Sequence, residues 1–481
     1  MTFVSVKFYL FLIGAIFVYY LLPLKARWIA LLAESLCFYY FAINHGRKLF
    51  LMIIVISYLG GILLEKLPEK YRLRQIGLAC SILASSIPLL IIKEGNWLFQ
   101  KMMGRDIWSF VAPLGLSFFT VQMVSYLVDI YSKKITAQKN LLKYVLYISF
   151  FPQIIQGPIP RYEQLMCQLE TGNRFEPTNI TRGFHLILWG FFLKLMIADK
   201  ASVIVNTVFD NCNYFKGAYV VLAGMLYSIQ LYADFQACTK LAQGIASLFG
   251  IRLVNNFNHP YFSKSIKEFW GRWHISFSSW LKDYIYIPLG GNRKGKLRKY
   301  INLSVTFLVS GIWHGSRFRF LAWGGLHAIY QIIGECTMGY RKKSSEAVGV
   351  NKYGRIHDAV RRIFTFGLVT IAWIVFRANS LRDALKMIKS IFTVYNPWVL
   401  MNDSIFSLGL SWKEFVVLVL AIIVLYAVSH IQERGTSIRA KILEQPLVIR
   451  WAIYICSIVV IMIFGTYGYG ANAQDFIYGG F

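Results

Sequence analysis

Apolar runs that are almost free of charge and close to the length of a membrane span recur along this chain, at 5–23, 28–44, 49–64, 76–92 and 106–130, and again at 301–315, 318–337, 364–379, 413–430 and 450–468. A helix needs about 20 such residues to cross a hydrocarbon core, so the bilayer is the solvent for which these runs are made. Only 15% of the 481 residues are charged and 56% are apolar, whereas a soluble domain carries about 25% charge. No Pro-, Ser- or Gly-rich linker divides the sequence. The expected fold is one all-α, polytopic membrane domain over 1–481, with roughly ten or more spans, divided as N-terminal spans (1–140), a motif-rich core (141–340) and C-terminal spans (341–481).

The net charge of +28 raises nucleic acid as a ligand, but the distribution excludes it. Lys and Arg gather in short clusters between apolar runs, at Lys66–Arg74, Lys133–Lys139, Arg293–Lys299 and Arg341–Arg362, as cytoplasmic loops do. With 65–75 and 133–139 inside, parity places the turn after Arg27 inside and the N-terminus outside. Val4–Leu22, followed by Pro23, Lys25 and Arg27, lacks a small-x-small cleavage site and reads as a retained helix. The loops 291–300 and 341–363 flank two spans and so share one face. The seven cysteines are scattered without C-x-x-C, so neither a disulfide framework nor a metal site is expected.

Between 142 and 300 the apolar runs shorten. Pro152, Pro158, Pro160, Pro260 and Pro288 interrupt them, with charges at Arg161, Lys194, Asp199, Asp234, Lys240, Glu268, Arg272, Lys282 and Asp283. Uninterrupted lipid-facing helices do not tolerate this, and broken backbone is allowed at membrane depth only where protein or a water-filled cavity satisfies it. Re-entrant or broken helices around an internal cavity or tunnel are therefore expected here. No internal repeat is visible, which weighs against an inverted-repeat transporter.

Of the eight histidines, His45 and His357 fall in basic loops, His185 and His430 near span edges, and His259 before Pro260. Three keep unusual company. In Glu268-Phe-Trp-Gly-Arg-Trp-His-Ile-Ser276, helical spacing pairs Glu268 with Arg272 and puts Trp270 and His274 on one face; the competing reading is an interfacial helix with Trp at headgroup level. In Ser310-Gly-Ile-Trp-His-Gly315, Gly311 and Gly315 leave room beside His314, and burial keeps such an imidazole neutral, as a general base requires; the competing reading is a histidine that bonds two helices together. His327, in Trp323-Gly-Gly-Leu-His-Ala328, would lie about 20 Å from His314 on a shared helix, which argues for packing. The sequence has no G-x-S-x-G elbow, H-E-x-x-H, P-loop or strand-following G-x-G-x-x-G.

Motif blocks follow one another along most of the chain. They are Pro113-Leu-Gly-Leu-Ser-Phe118 with Ser125–Asp129, Phe151-Pro-Gln-Ile-Ile-Gln-Gly-Pro158 with Arg161-Tyr162, and Gly190–Asp199. Then come Asn256-Phe-Asn-His-Pro-Tyr261 through Phe269-Trp270, Arg272-Trp-His-Ile-Ser276, Trp280, Asp283-Tyr284 and Ile287–Gly295, followed by Trp313-His-Gly315 and Trp323-Gly324 with His327. In order and spacing they resemble the membrane-bound O-acyltransferase family, and within it the bacterial polysaccharide- and cell-wall-modifying branch. The resemblance implies many helices around a tunnel in the bacterial plasma membrane. At its narrowest point a histidine would promote acyl transfer from a cytoplasmic thioester to an acceptor reached from outside. His314 matches the family's essential histidine and His274 the second; Trp313, Trp270, Arg272, Asp283 and Asn256 are implied to bind substrate. Acetyl-CoA is the implied donor substrate, with no bound cofactor. A separate extracytoplasmic serine acyltransferase of the SGNH type and an exported polysaccharide are the implied partners, besides membrane lipid. Rival readings are D-alanyl transfer from a carrier protein to teichoic acid, and a transporter without chemistry.

One segment departs from the family pattern. Where relatives show a D-F-S-G-Y-S-D-like run, this chain has Asp234-Phe-Gln-Ala-Cys-Thr-Lys240, which removes that helix as a guide to acceptor or partner. Lys240 is expected in an internal ion pair; Arg317 and Arg319 are read as an anchor for their turn, with donor phosphates as the alternative.

Overall fold

The structure is a computed structural model that describes residues 3–42, 46–68, 71–92, 115–315, 317–347, 354–467 and 476. Among these there is no strand. Helices occupy the predicted apolar runs: α1 (Val6–Leu21), α2 (Arg27–Ala42), α3 (Arg47–Lys66), α4 (Tyr71–Leu90) and α5 (Leu116–Tyr131) precede the middle third. That third holds α6 (Pro177–Phe191), α7 (Asp199–Asp210), α8 (Ala218–Leu248), α9 (Ile266–Arg272) and α10 (Ile275–Leu281). Beyond it lie α11 (Gly295–His314), α12 (Phe318–Cys336), α13 (Gly354–Arg377), α14 (Leu381–Thr393), α15 (Trp412–Glu433) and α16 (Leu447–Phe464). The ends 43–44, 106–114 and 468 of the predicted runs lie outside the described residues, as do His45, Pro113-Leu114 and part of the basic loop 341–363. Among the described residues five helices, α3, α8, α13, α15 and α16, are long and apolar enough to cross a membrane, and α1 and α5 are shorter apolar helices. The protein is an all-α, multi-pass membrane protein.

The middle third also carries one long helix. α8, at 31 residues, is the longest described helix, and 67% of its most apolar window is buried. Its acid, which reads as an interruption, is answered internally: Lys194 Nζ lies 2.8 Å from Asp234 Oδ1 and 2.9 Å from Asp199 Oδ1. A buried charge at membrane depth persists only when paired in this way. Lys194 sits in a π-helical segment, Phe192–Ala198, between α6 and α7. A π turn frees a backbone carbonyl from the helical ladder, and here the Thr466 N–H donates to Leu195 O at 3.1 Å.

Contacts divide the chain into two compact units, one of Met1–Ile187 with Cys238–Asn255, the other of Leu188–Ala237 with Asn256–Ile477. In the first, Arg27 closes the α1–α2 turn by donating to Leu22 O (3.0 Å) and Tyr20 O (3.2 Å). Tyr39 stacks on Phe50 at 3.8 Å, and Ser57 bonds the Tyr144 hydroxyl at 2.8 Å.

The second unit is organised by α11, α12 and α13, which run up, down and up. Lys299 pairs with Glu335 at one end of the α11–α12 hairpin. Towards the other end a Cβ on Gly311 would strike the Phe320 carbonyl, and one on Gly324 the Phe307 carbonyl, so these helices touch backbone to backbone. α13 returns along α12, with Phe376 5.1 Å from Phe320 and Trp373 5.7 Å from Trp323. Arg319 locks the far end by donating to the carbonyls of Arg377 and Ala378. That assignment favours the anchor reading of Arg319.

Candidate active site

His274 is held at the deep end of a re-entrant segment. The chain before and after it lies at the basic end of the α11–α13 layer: Lys264 pairs with Asp358 at 2.7 Å, and Asn302 Nδ2 donates to Gly291 O at 2.9 Å. Between these points the chain goes in as α9 and comes back as α10. Ser265 starts α9 by accepting from Glu268 N (3.2 Å), and Glu268 returns the bond to Lys264 N (2.9 Å). α9 stops at Arg272, because Trp273 is extended and His274 adopts the left-handed region at φ 44°, ψ 52°. Trp270 and His274 therefore do not share a helix face, contrary to the spacing argument.

The left-handed turn is clasped by the strand-like segment before it. Asn258 N–H donates to Arg272 O (3.0 Å), Ile275 N–H to Asn256 O (2.9 Å) and Ser276 N–H to Asn256 Oδ1 (3.2 Å). His274 is buried, with its ring 4.7 Å from Phe235 in an edge contact and 5.1 Å from Phe277. Phe235 lies in the departing segment 234–240, one residue beyond the Lys194-bound Asp234.

His314 arrives from the other direction, as the last residue of α11; the Gly315 N–H closes that end on the Gly311 and Ile312 carbonyls. Its buried ring lies 4.8 Å from Trp313, 5.1 Å from Trp323, 5.3 Å from Phe376 and 6.1 Å from Phe277. Trp313 leans on Phe277 at 4.3 Å and reaches His274 at 6.3 Å. The two imidazoles thus share one wall, Phe277 and Trp313.

His327 is nearer to His314 than a single helix would have placed it, since the helix breaks after His314 and restarts at Phe318. His327 and His314 contact Trp323 at 5.1 Å each. Trp270 Nε1–H donates to His327 Nδ1 at 3.2 Å; that nitrogen must accept, so the His327 ring is neutral with its proton on Nε2. Trp270 packs on Trp323 at 5.8 Å, and Trp273 on Trp373 at 5.1 Å.

The other sequence candidates separate. Asn256 joins the site through the clasp, and its Nδ2 has no hydrogen-bond partner among the described residues. Arg272 faces away: Nη2 lies 2.8 Å from Glu268 and Nη1 2.7 Å from Glu433 on α15. Asp283 is half-buried in the π-helical segment Lys282–Tyr286 that follows α10. Lys240 donates to Gln243 Oε1 (3.1 Å) and Asn255 Oδ1 (3.5 Å). Phe277, Trp373 and Phe376 were not singled out by sequence; only the i, i+3 spacing of His274 and Phe277 signals any of them. Among the described residues no three His, Cys, Asp or Glu side chains gather as a metal-holding group.

The helices, the candidate spans and the two buried imidazoles on one aromatic wall describe a polytopic membrane protein with a histidine-bearing interior site, and the family match makes it a membrane acyltransferase. The chain belongs to the membrane-bound O-acyltransferase family, whose family model matches residues 116–377 and so contains the whole site. It is 33% identical to the probable alginate O-acetylase AlgI of Pseudomonas fluorescens over 82% of this chain and 76% of that protein. It is 35% identical to the peptidoglycan O-acetyltransferase of Helicobacter pylori over 58% of this chain and 56% of that protein. To the teichoic acid D-alanyltransferase of Bacillus subtilis it is 29% identical, over 52% and 65% respectively.

Proposed function

We propose that this protein takes an acetyl group from acetyl-CoA on the cytoplasmic side and passes it through a tunnel in the membrane domain for O-acetylation of an exported or cell-wall polysaccharide. A separate extracytoplasmic serine acyltransferase of the SGNH type completes the transfer. The observation that carries the reading is that His274 and His314, brought in by a re-entrant segment and a helix end, meet on the Phe277–Trp313 wall. In the reaction an acceptor hydroxyl attacks the thioester carbonyl carbon while His314 takes its proton. The new C–O bond forms, the C–S bond breaks, and the imidazolium returns the proton to the departing thiolate. His274 supports the carbonyl from the other side of Phe277, and Trp313 and Trp270 keep water from the thioester. Asn256 and Arg272 serve as holders of the His274 turn, while Asp283 remains a substrate contact at the mouth of the re-entrant segment. The relatives named for acetyl transfer match at higher identity than the D-alanyltransferase, which favours acetyl.

The test is paired. His314→Ala is expected to reduce the acetyl content of the surface polymer, and free CoA release by the purified protein with labelled acetyl-CoA, by about 100-fold or more, the usual contribution of general base catalysis. Unchanged acetylation at normal protein level would sink the assignment; flux of a polymer without CoA release would instead identify a transporter.

A further inference from the structure

α14 has three faces, and each meets a different environment. Ala384, Met387 and Ser390 are buried against the protein, where Ser390 Oγ accepts from Gly217 N at 3.3 Å. At 100° per residue the next sector carries Leu385 and Phe392, 58% and 79% exposed. The sector after that carries Arg382, Lys386 and Lys389, all exposed. A surface helix facing only water would not place Phe392 there, and a helix buried in lipid would not carry three cations. The order protein, apolar, basic around one axis suits a helix lying in a headgroup layer.

The neighbouring chain has the same character. Tyr395 is 84% and Trp398 56% exposed, and this loop is tied to the start of α8 by Ala218 N–H donating to Asn396 Oδ1 at 2.8 Å. Trp412, the first residue of the span α15, is likewise 63% exposed. The depth follows from the α11–α13 layer. The basic residues 293–299 and the Lys299–Glu335 pair mark one end, while Arg319 and the Arg377 and Ala378 carbonyls mark the other, from which α14 departs. Basic loops face the cytoplasm, so α14 lies at the extracytoplasmic end.

We propose that α14 is an interfacial helix of the extracytoplasmic leaflet, with Leu385 and Phe392 set among lipid acyl chains and Arg382, Lys386 and Lys389 engaging phospholipid phosphates. Through the Arg319 contacts it sets the depth of the His314 turn below that leaflet's surface. Lipid is the occupant because the apolar sector is a narrow stripe on a single helix, bordered along its length by three cations that complement phosphate.

The experiment uses a full-length variant without native cysteines that still supports polymer acetylation. Into it Leu385→Cys, Lys386→Cys, Lys389→Cys and Phe392→Cys are introduced singly. Each is labelled with an environment-sensitive fluorophore and reconstituted in nanodiscs of phosphatidylethanolamine and phosphatidylglycerol, with and without a lipid spin-labelled on its acyl chain. Labels at 385 and 392 are expected to be quenched several-fold more than those at 386 and 389. Equal quenching at all four positions, or none at any, overturns the proposal, as it would for a helix covered by protein or standing in water. In intact cells Lys386→Cys is expected to react with a membrane-impermeant maleimide; reaction only after lysis overturns the extracytoplasmic placement.

Discussion

His274 occupies a backbone conformation that costs a residue other than glycine about 1–3 kcal/mol, and the surroundings enforce it. Asn256 is the enforcing residue, since its carbonyl and its side-chain oxygen hold the two N–H groups that follow His274. Asn256→Leu is expected to leave the Ser276 N–H without its acceptor, at about 1–3 kcal/mol, and to lower kcat by about 100-fold through misplacement of the imidazole. Asn256→Asp keeps the acceptor and is expected to retain far more of kcat, with KM for the donor similar in both. Equal loss in both variants would show that the amide nitrogen, not the clasp, is what matters. The sequence set His274, His314 and His327 apart from the other histidines by the Trp and Gly around them, and the structure brings all three into one aromatic cluster. The wall that His274 and His314 share was not legible. The spacing from Trp270 to His274 assumed a helix that ends at Arg272, and Phe277 looked like one phenylalanine among 37.

Among the elements, the α11–α12 hairpin depends on two glycines for its close approach. Gly311→Ala and Gly324→Ala each drive a Cβ into a backbone carbonyl, whereas a Cβ at Gly325 meets nothing within 4 Å. Thermal unfolding in detergent should show the first two destabilised by about 1–3 kcal/mol or more, with Gly325→Ala neutral or stabilising by about 0.5–1 kcal/mol. Similar midpoints for all three would refute the backbone contact. The buried Lys194 gives a second check. Lys194→Met leaves Asp199 and Asp234 facing each other without their cation, and removing one member of a buried pair costs about 3–5 kcal/mol. Outside 142–300, the spans α3, α13, α15 and α16 could be read directly, because lipid-facing helices show their length as hydropathy. The full length of α8 was not legible, because hydropathy scores Asp234 as a break and cannot see Lys194, 40 residues earlier in the chain, beside it.

At the scale of the molecule the surplus positive charge is a map of sides. The basic residues 293–299 and the start of α13 at Gly354 share the end at which the re-entrant segment enters; under the proposed reaction an anionic thioester donor approaches that end. KM for acetyl-CoA is expected to rise with ionic strength while kcat stays level, since screening acts on encounter and not on the chemistry. A flat KM would assign that charge to topology alone. The indole cluster carries a different consequence. Trp270, Trp323, Trp373 and Trp273 form a chain with successive rings 5.8, 5.7 and 5.1 Å apart, in which Trp323 touches both His314 and His327; these rings are close enough for their excited states to mix. The near-ultraviolet circular dichroism of this protein should therefore be dominated by a few coupled indoles at the site, and donor entry should be visible as a change in that band without any label.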